Sequence, residues 1–353
     1  MERGQVSNLS PAKFVIDIKR AGYQRGEIMT EVIKQYWHPV GLAGTLTDEK
    51  PIAATVLGED LVIWRSKDKL CAWKDLCVHR GVRLSLGTVC NNRLRCAYHG
   101  WEYNDAGHCE YIPAHPEITI PAKAKATAIY RAREHAGLIW VNLSDAPRTL
   151  PDLPQFNEPG YRVIPCGPYE INAAAPRVVE NFLDLSHPPI LHDGILGDSS
   201  HAAIDDYHVD DTEEGYFVKN VRYYQPDPDG TGVGGDAWYD FGILAPLTVY
   251  FVKHIGSPAN KEKFVLMFAV RPGTENRSWA HFIAAYNYAA DLSEQEIADF
   301  HSLIIGQDIP ILESQRPELL PVDLSEELHL RSDLFTSKYR RHLKDIGMDF
   351  GVA

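Results

Sequence analysis

The pattern of apolar and polar positions divides the chain into two regions. From Trp37 to about Leu143, short β-type runs alternate with turn residues, which predicts a small β domain. Farther on, longer strand patterns are mixed with helical ones, and strand and helix do not alternate strictly. This order favours an α+β fold with an antiparallel sheet over a doubly wound parallel sheet.

Individual elements follow from the same pattern. Strands are predicted at 54–57, 61–64, 137–141, 216–224, 248–254, 263–271 and 280–288. Helices are predicted at 176–186, from Ser293 onward, and at about 336–346. Ser293 and Glu296 form a capping box at the start of the second helix, whose apolar face is Ile297, Phe300 and Ile304.

Three units are predicted along the chain. Residues 1–36 are expected to form an N-terminal helical segment, with Ser10 and Pro11 opening a helix, that packs on the second domain. Residues 37–145 form the β domain and residues 146–353 the α+β domain. The proline-rich stretch 145–168 predicts a surface linker between them.

Charge and composition exclude several classes of protein. The chain has 35 basic and 48 acidic side chains and a net charge of −13, which disfavours binding to nucleic acid or an anionic membrane. No apolar run approaches the ~18 residues of a membrane helix. The first ten residues lack the apolar core of a signal peptide. Six cysteines in 353 residues do not make a disulfide framework, so a reducing cytoplasm is expected.

The strongest chemical pattern is a pair of Cys/His loops. Cys77 and His79 stand two positions apart, and Cys96 and His99 three apart, each pair ahead of a glycine. A structural zinc site also uses two Cys and two His, but zinc motifs usually pair Cys with Cys and His with His. The mixed pairs favour a Rieske [2Fe–2S] centre, where the cysteines hold one iron and the histidines the other. The other cysteines, interpreted as small packing residues, are Cys71, Cys90, Cys109 and Cys166.

A second metal site is predicted downstream. His187 and His192 flank a Pro-Pro pair that is expected to end a helix and fold the chain back, so that the two rings meet. Two imidazoles and one carboxylate form the facial triad of Fe(II) oxygenases. Asp308 is the candidate carboxylate and Glu313 its rival, while the alternative for Asp308 is a helix-end cap. Asp184 is expected on the helix one turn before His187, its carboxylate accepting a hydrogen bond from that ring.

These motifs resemble the catalytic subunits of Rieske non-haem iron oxygenases over nearly the whole chain. The resemblance rests on Cys77–Trp101, on the Asn181, Asp184, His187 and His192 pattern, and on Gln307-Asp308. It is closest to stand-alone enzymes such as methylxanthine N-demethylases, aryl O-demethylases and alkaloid hydroxylases. It implies a Rieske domain at 37–145 and a helix-grip-like catalytic domain at 146–353. It also implies that Asn181 lies near the iron.

The resemblance further implies a head-to-tail homotrimer. In it, Asp184 would join an iron-ligand histidine to His99 or His79 of the partner subunit, coupling the two centres. Electrons would come from a separate NAD(P)H-dependent reductase or ferredoxin. The expected reaction is R–H + O₂ + 2e⁻ + 2H⁺ → R–OH + H₂O, and hydroxylation of an N- or O-methyl carbon releases formaldehyde. Alternatives are a ring cis-dihydroxylating dioxygenase, a Rieske electron-transfer protein without catalysis, and a zinc-stabilised binding module.

The substrate is expected to be a small ring compound. The segments 196–207, 222–250 and 280–288 are predicted to line its pocket, with Tyr223, Tyr224, Trp238, Tyr239, Phe241, Tyr250 and Tyr286. Two other patterns are set aside. Gly230–Gly235 matches G-x-G-x-x-G but lacks the flanking strand and helix of a dinucleotide site, so a hairpin loop is predicted. His201 and His208 lie in an acidic segment that predicts a solvated loop near the pocket mouth.

Overall fold

The computed structural model describes residues 31–212, 215–288 and 290–353. The predicted N-terminal segment 1–36 lies outside the described residues except for its last six positions, of which 31–34 are helical. The predicted helix start at Ser10 is likewise outside them.

The first domain is built from two antiparallel sheets. A six-stranded sheet has the order β1-β10-β9-β4-β3-β2, and a four-stranded sheet has the order β5-β6-β7-β8. The strands are β1 (His38–Leu42), β2 (Ile52–Val56), β3 (Glu59–Ser66), β4 (Lys69–Lys74), β5 (Thr88–Cys90), β6 (Arg93–Arg95), β7 (Glu102–Tyr103), β8 (Cys109–Tyr111), β9 (Ile129–His135) and β10 (Leu138–Asn142). The three strands predicted here lie within or overlap β2, β3 and β10.

The second domain has one seven-stranded antiparallel sheet, ordered β11-β17-β16-β15-β14-β13-β12. Its strands are β11 (Arg162–Ile171), β12 (Val209–Asp211), β13 (Tyr216–Gln225), β14 (Gly235–Ala245), β15 (Thr248–His254), β16 (Lys263–Thr274) and β17 (Arg277–Tyr286). Its α-helices are α1 (Ala175–Leu183), α2 (Pro188–Leu191), α3 (Glu294–Ser314) and α4 (Leu334–Asp345).

Single 3₁₀ turns of the two domains lie at Ala43–Thr45, Leu84–Leu86, Pro154–Phe156, Ser199–His201 and Arg331–Asp333. The α+β prediction is confirmed.

The large sheet is buried on both faces. Along β16, Leu266 and Phe268 face the helices, whereas Met267 and Ala269 face the first domain and pack with Trp37. A strand covered on both sides reads as one continuous apolar run, as 264–270 does. The sheet therefore separates the first domain from a layer of helices, and α1 and α3 pack on its inner face.

Part of the predicted linker is instead a strand. β11 starts at Arg162 and includes Pro165 and Pro168, so the surface-linker prediction for 145–168 is wrong from Arg162 onward. The prolines are accommodated because β11 is an edge strand with an irregularity between Cys166 and Tyr169.

Helix boundaries also differ from expectation. α1 ends at Leu183, three residues early, and Asp184 has extended backbone geometry. Pro188 and Pro189 begin α2 rather than ending a helix, because proline fits the first helical turn. The capping box of Ser293 and Glu296 is confirmed at the start of α3.

Candidate metal centres and substrate cavity

The two Cys/His loops of the first domain have the same backbone turn. The amide of Gly81 donates to the carbonyl of Cys77 at 2.9 Å, and the amide of Gly100 donates to that of Cys96 at 3.0 Å. Both glycines have positive φ, +70° and +69°, a conformation that glycine adopts without strain. The matched turns explain why each Cys/His pair is followed by glycine.

The cysteine and histidine side chains of these loops differ in their exposure to solvent. Cys77 and Cys96 are each only 2% exposed, whereas His79 is half-buried and His99 exposed. The two imidazole rings lie 4.5 Å apart between centroids. His79 Nδ1 is buried without a hydrogen-bond partner in the described part of the chain, and a metal bond would satisfy it. Thiols inside and imidazoles outside fit the divided ligation of a Rieske cluster.

Two aromatic residues support the cluster loops. Trp101 stacks on His79 at 4.5 Å between ring centroids, with an interplanar angle of 8°. The hydroxyl of Tyr103 lies 3.3 Å from Cys77 Sγ and would donate to a thiolate. Trp101 was part of the recognised pattern, but Tyr103 was not predicted, because it reaches the site from β7 across the sheet. Of the remaining cysteines, Cys71, Cys109 and Cys166 are buried and Cys90 is half-buried, in keeping with packing roles.

The second group of candidate ligands lies where α2 meets α3. His187 and His192 cap the two ends of α2, and Asp308 projects from α3. Asp308 Oδ1 is 3.8 Å from His187 Nε2 and 3.4 Å from His192 Nε2. One donor atom from each residue lies within 4.8 Å of the others. Ligand atoms bound at ~2.1 Å and at right angles are about 3 Å apart, so the arrangement needs little closure around a metal ion.

The outward-facing nitrogens of both histidines are already occupied. His187 Nδ1–H donates to the backbone carbonyl of Asp184 at 2.9 Å, and His192 Nδ1–H donates to Gln307 Oε1 at 2.7 Å. Each Nε2 therefore presents its lone pair toward Asp308. Asn181 Nδ2–H donates to Asp308 Oδ1 at 3.3 Å. Two oriented imidazoles and a buried carboxylate fit the facial triad of a non-haem iron site.

The charges at this site are balanced by burial and hydrogen bonding. Burial lowers the pKa of His187, although Asp184 and Asp308 oppose the shift. Burial also acts to lower the pKa of His192, but the neighbouring side chains of Asp308 and Gln307, which favour the protonated ring, outweigh it and raise the pKa. His192 and Asp308 are almost fully buried, at 1% and 5% exposure. A buried carboxylate without a strong cation beside it is suited to a metal ion.

Asp184 contacts His187 differently from the prediction. The expected hydrogen bond to its carboxylate is wrong: the carbonyl accepts the imidazole N–H, and Oδ2 lies 3.8 Å from Nδ1. The reason is that α1 ends at Leu183, which places Asp184 in extended backbone rather than on a helix face. Asp184 Oδ1 accepts a hydrogen bond from the Ser186 amide at 2.7 Å, and the side chain is 35% exposed.

The alternatives for the third ligand can be compared directly. Asp308 lies inside α3, so both its predicted place just past the helix and the helix-end cap are wrong. Glu313 lies five residues farther along α3, where its Oε1 accepts two hydrogen bonds from Asn172, each at 2.9 Å. Glu313 is therefore engaged elsewhere, and Asp308 is the carboxylate that the fold brings to the two histidines.

A cavity of about 470 Å³ opens from these three residues between the sheet and α3. Four of the seven predicted aromatic residues line it: Tyr223, Tyr239, Phe241 and Tyr286. Trp238 and Tyr224 are each one position from a lining residue and so point to the opposite face of their strands. Tyr250 is also absent from the lining. Phe282 and Tyr288, which belong to the predicted lining segment 280–288, also line the cavity. The aromatic residues that line it from outside the predicted segments are Phe182, Phe251, Phe264, Phe268 and Phe300.

The patterns set aside earlier are not part of the group formed by His187, His192 and Asp308 in the described residues. Residues 226–234 connect the antiparallel strands β13 and β14, so the hairpin-loop prediction for the glycine-rich segment is confirmed. Asp227, Asp229 and Gly230 of this loop are among the residues that line the cavity. His201 and His208 are both exposed.

Comparisons with known proteins agree with this geometry. Residues 36–127 match the model of the Rieske [2Fe-2S] domain, and residues 171–347 match that of the vanillate O-demethylase oxygenase C-terminal domain. Methylxanthine N1-demethylase NdmA of Pseudomonas putida is 30% identical over 327 residues, 90% of each chain. The chain belongs to the Rieske non-haem iron oxygenases. This Rieske oxygenase is thus an O₂-dependent oxidoreductase whose cofactors are a [2Fe–2S] cluster and a mononuclear iron.

Solved structures show the same architecture. Pseudomonas putida CBB5 NdmA with caffeine superposes with a TM-score of 0.77 and 30% identity, covering 90% of this chain and 92% of that one. Dicamba monooxygenase bound to dicamba gives a TM-score of 0.73 over 89% of this chain and 97% of the other, at 21% identity, and so shares the fold. In the described residues, no helix is long and apolar enough to cross a bilayer.

Proposed function

We propose that this Rieske oxygenase hydroxylates a small planar ring compound, with N- or O-demethylation as the main reaction. The observation that carries the proposal is that one aromatic-walled cavity is lined by His187, His192 and Asp308. Oxygen insertion into a methyl C–H bond, R–CH₃ + O₂ + 2e⁻ + 2H⁺ → R–CH₂OH + H₂O, yields a product that collapses to R–H and formaldehyde when R is attached through N or O. The demethylases among the relatives support this reaction class.

The proposed ligands divide between the two centres. Cys77, His79, Cys96 and His99 hold the cluster, and His187, His192 and Asp308 hold the mononuclear iron. When bound, the cluster supplies electrons singly and the iron activates O₂ for insertion into a C–H bond. Asn181 and Gln307 orient Asp308 and His192 through the hydrogen bonds described above.

The cavity walls favour a flat, largely apolar ligand. Phe182 stacks on Phe268 at 4.9 Å between centroids, and Phe264 stacks on Tyr286 at 4.3 Å, so the walls are built from mutually packed aromatic rings. Such surfaces gain from offset stacking against a planar ring and exclude water from its reacting end. The cavity is large enough for a fused two-ring compound.

Two other reactions are less well supported. A ring cis-dihydroxylating dioxygenase would use the same iron ligands, but the named relatives at 28–30% identity are demethylases. A Rieske electron-transfer protein without catalysis would not need the His187, His192 and Asp308 arrangement or the cavity beside it.

The assembly and partners are proposed by analogy with the family. A homotrimer in the cytoplasm would bring His99 of the partner subunit to Asp184, whose side chain is 35% exposed and has Oδ2 free of close bonds within the described residues. Exposure of His99 at the protein surface is compatible with this contact. A separate reductase or ferredoxin would supply the electrons.

The demethylation proposal is tested with a panel of N-methyl and O-methyl aromatic rings. The full chain is supplied with a surrogate reductase, and O₂ uptake and formaldehyde release are measured together. At least one ring should stimulate O₂ uptake with formaldehyde formed in step. Hydroxylated product without formaldehyde, from non-methylated rings only, would replace demethylation by ring or side-chain hydroxylation.

The metal content gives a prediction that does not depend on substrate. Two irons in the cluster and one at the second site should give about three irons per chain after anaerobic reconstitution. Iron and sulfide are measured chemically on the same sample. A stable value near two irons with full turnover would contradict the second site.

Reduction of the cluster should require a second protein. The one sequence match to a dinucleotide motif is a hairpin loop between β13 and β14, so NADH alone is expected to leave the visible spectrum of the oxidised cluster unchanged. Dithionite serves as the positive control. Rapid bleaching by NADH in the purified protein would show that electrons enter without a partner.

A further inference from the structure

His301 is a polar residue in the wall of the cavity that the iron-site geometry does not use. It is 3% exposed and lies on the inner face of α3, with its ring stacked on Phe282 at 5.3 Å between centroids. Its Nε2 is buried and has no hydrogen-bond partner among the described residues. An unpaired buried polar nitrogen is unfavourable, so a ligand that pairs with it gains a hydrogen bond.

The imidazole of His301 is suited to a hydrogen bond with an uncharged ligand. Burial lowers the pKa of His301 to about 4, so the imidazole is uncharged near pH 7. A neutral imidazole has one N–H donor and one nitrogen acceptor, and either can meet a substrate heteroatom. The rings packed against His301 are those of Phe264, Phe282 and Phe300, none of which can hydrogen-bond to it.

The position of His301 along α3 relates it to the iron site. It precedes Asp308 by seven residues, which is two helical turns and ~10.5 Å along the axis, and both side chains fall on the same face. Ile304 and Ile305 line the cavity between them. The outermost ring atoms of a fused two-ring compound are ~5 Å apart, and a hydrogen bond of ~3 Å at one end and a contact of ~3.5 Å at the other bring the span close to this separation. Such a compound can therefore contact His301 at one end and approach Asp308 at the other.

We propose that His301 determines specificity by hydrogen-bonding a heteroatom at the far end of the ring substrate, which presents the opposite end to His187, His192 and Asp308. The ligand class is a planar, uncharged heterocycle with a ring nitrogen, N–H or carbonyl. This inference rests on the proposed function for the identity of the reacting end, but binding at His301 does not require turnover.

The test uses three probes of similar shape: naphthalene with no heteroatom, quinoline with a ring-nitrogen acceptor, and indole with an N–H donor. Binding to the cluster- and iron-loaded full chain is measured by anaerobic equilibrium dialysis without a reductase. In His301→Phe, the preference for quinoline or for indole over naphthalene should fall about tenfold, the loss of one hydrogen bond. The affected probe also shows whether Nε2 donates or accepts.

Control variants separate hydrogen bonding from packing. Phenylalanine keeps a ring against Phe282, His301→Leu provides a second apolar variant, and His301→Gln should retain at least part of the preference. Ser302→Ala, on the exposed side of the same helix, should leave it unchanged. If folded His301→Phe or His301→Leu binds naphthalene and keeps the wild-type preferences for both other probes, the proposal is wrong. A failed demethylation panel would contradict the proposed function without altering these binding ratios.

Discussion

Asp308→Ala should remove the mononuclear iron and nearly all turnover while leaving the cluster intact. The carboxylate is 5% exposed and lies within 3.8 Å of Nε2 of both histidines, and it is the carboxylate grouped with them in the described residues. We expect turnover to fall at least ~10³-fold, about 4 kcal/mol on the barrier. Iron content should drop by about one per chain, and the visible spectrum of the cluster should be unchanged.

Glu313→Ala is the matched control for this change. Glu313 is an acidic residue on the same helix, but its carboxylate accepts hydrogen bonds from Asn172. The variant should keep its iron and most of its turnover. Loss of the third iron in Glu313→Ala, with iron retained in Asp308→Ala, would show that the third ligand is misassigned.

Asp184→Asn should separate electron delivery from iron binding. The backbone carbonyl of Asp184, not its carboxylate, accepts the His187 N–H, so the substitution leaves the orientation of His187 in place. The substitution removes the negative charge beside the imidazole, because asparagine has a similar size but no charge. We expect most of the iron and a normal reduced-cluster spectrum to be retained, while steady-state turnover falls at least ~10²-fold, roughly 2.7 kcal/mol.

The rate of cluster reoxidation shows whether the expected loss of turnover in Asp184→Asn comes from slower electron transfer. Prereduced wild type and Asp184→Asn are mixed with substrate and O₂, and the cluster absorbance is followed. Slow reoxidation in the variant supports Asp184 as the connection to His99 or His79 of the partner subunit. Reoxidation at the wild-type rate, coupled to product, would remove Asp184 from the electron path and with it the argument for the trimer. Loss of iron would instead make Asp184 a support for the ligands.

The grouping of most candidate ligands could be predicted because these residues are close together in the sequence. Cys77 and His79 sit in one turn, Cys96 and His99 in another, and His187 and His192 flank a single short helix. Residue type and spacing within a few positions carry this information. Asp308 was also proposed, although its helical setting was not, because the helix runs on to Ser314 past Asp308 and includes Pro310.

The predictions that were wrong or missing concern features that depend on contacts between segments distant in sequence. From the sequence, Pro165 and Pro168 indicate a loop, because proline has no backbone N–H to donate to a neighbouring strand. The sheet order shows that β11 is an edge strand, where proline is tolerated. Aromatic residues of β13 to β17 line the cavity or turn from it according to strand register, which a segment-level prediction does not resolve. His301 was not predicted because its role depends on the cavity that α3 forms with the sheet.

The central claim is that this chain, assembled as its proposed homotrimer, forms the complete oxygenating unit and needs a second protein only as a source of electrons. It is tested most directly by a single turnover: the protein is reduced anaerobically, freed of reductant, and mixed with O₂ and a substrate found in the panel, and product is quantified after an acid quench. One electron from the cluster and one from the iron suffice for one reaction, so we expect product approaching about one per chain with no reductase present. Full reoxidation of the cluster without product would contradict the account and leave the chain as an electron carrier.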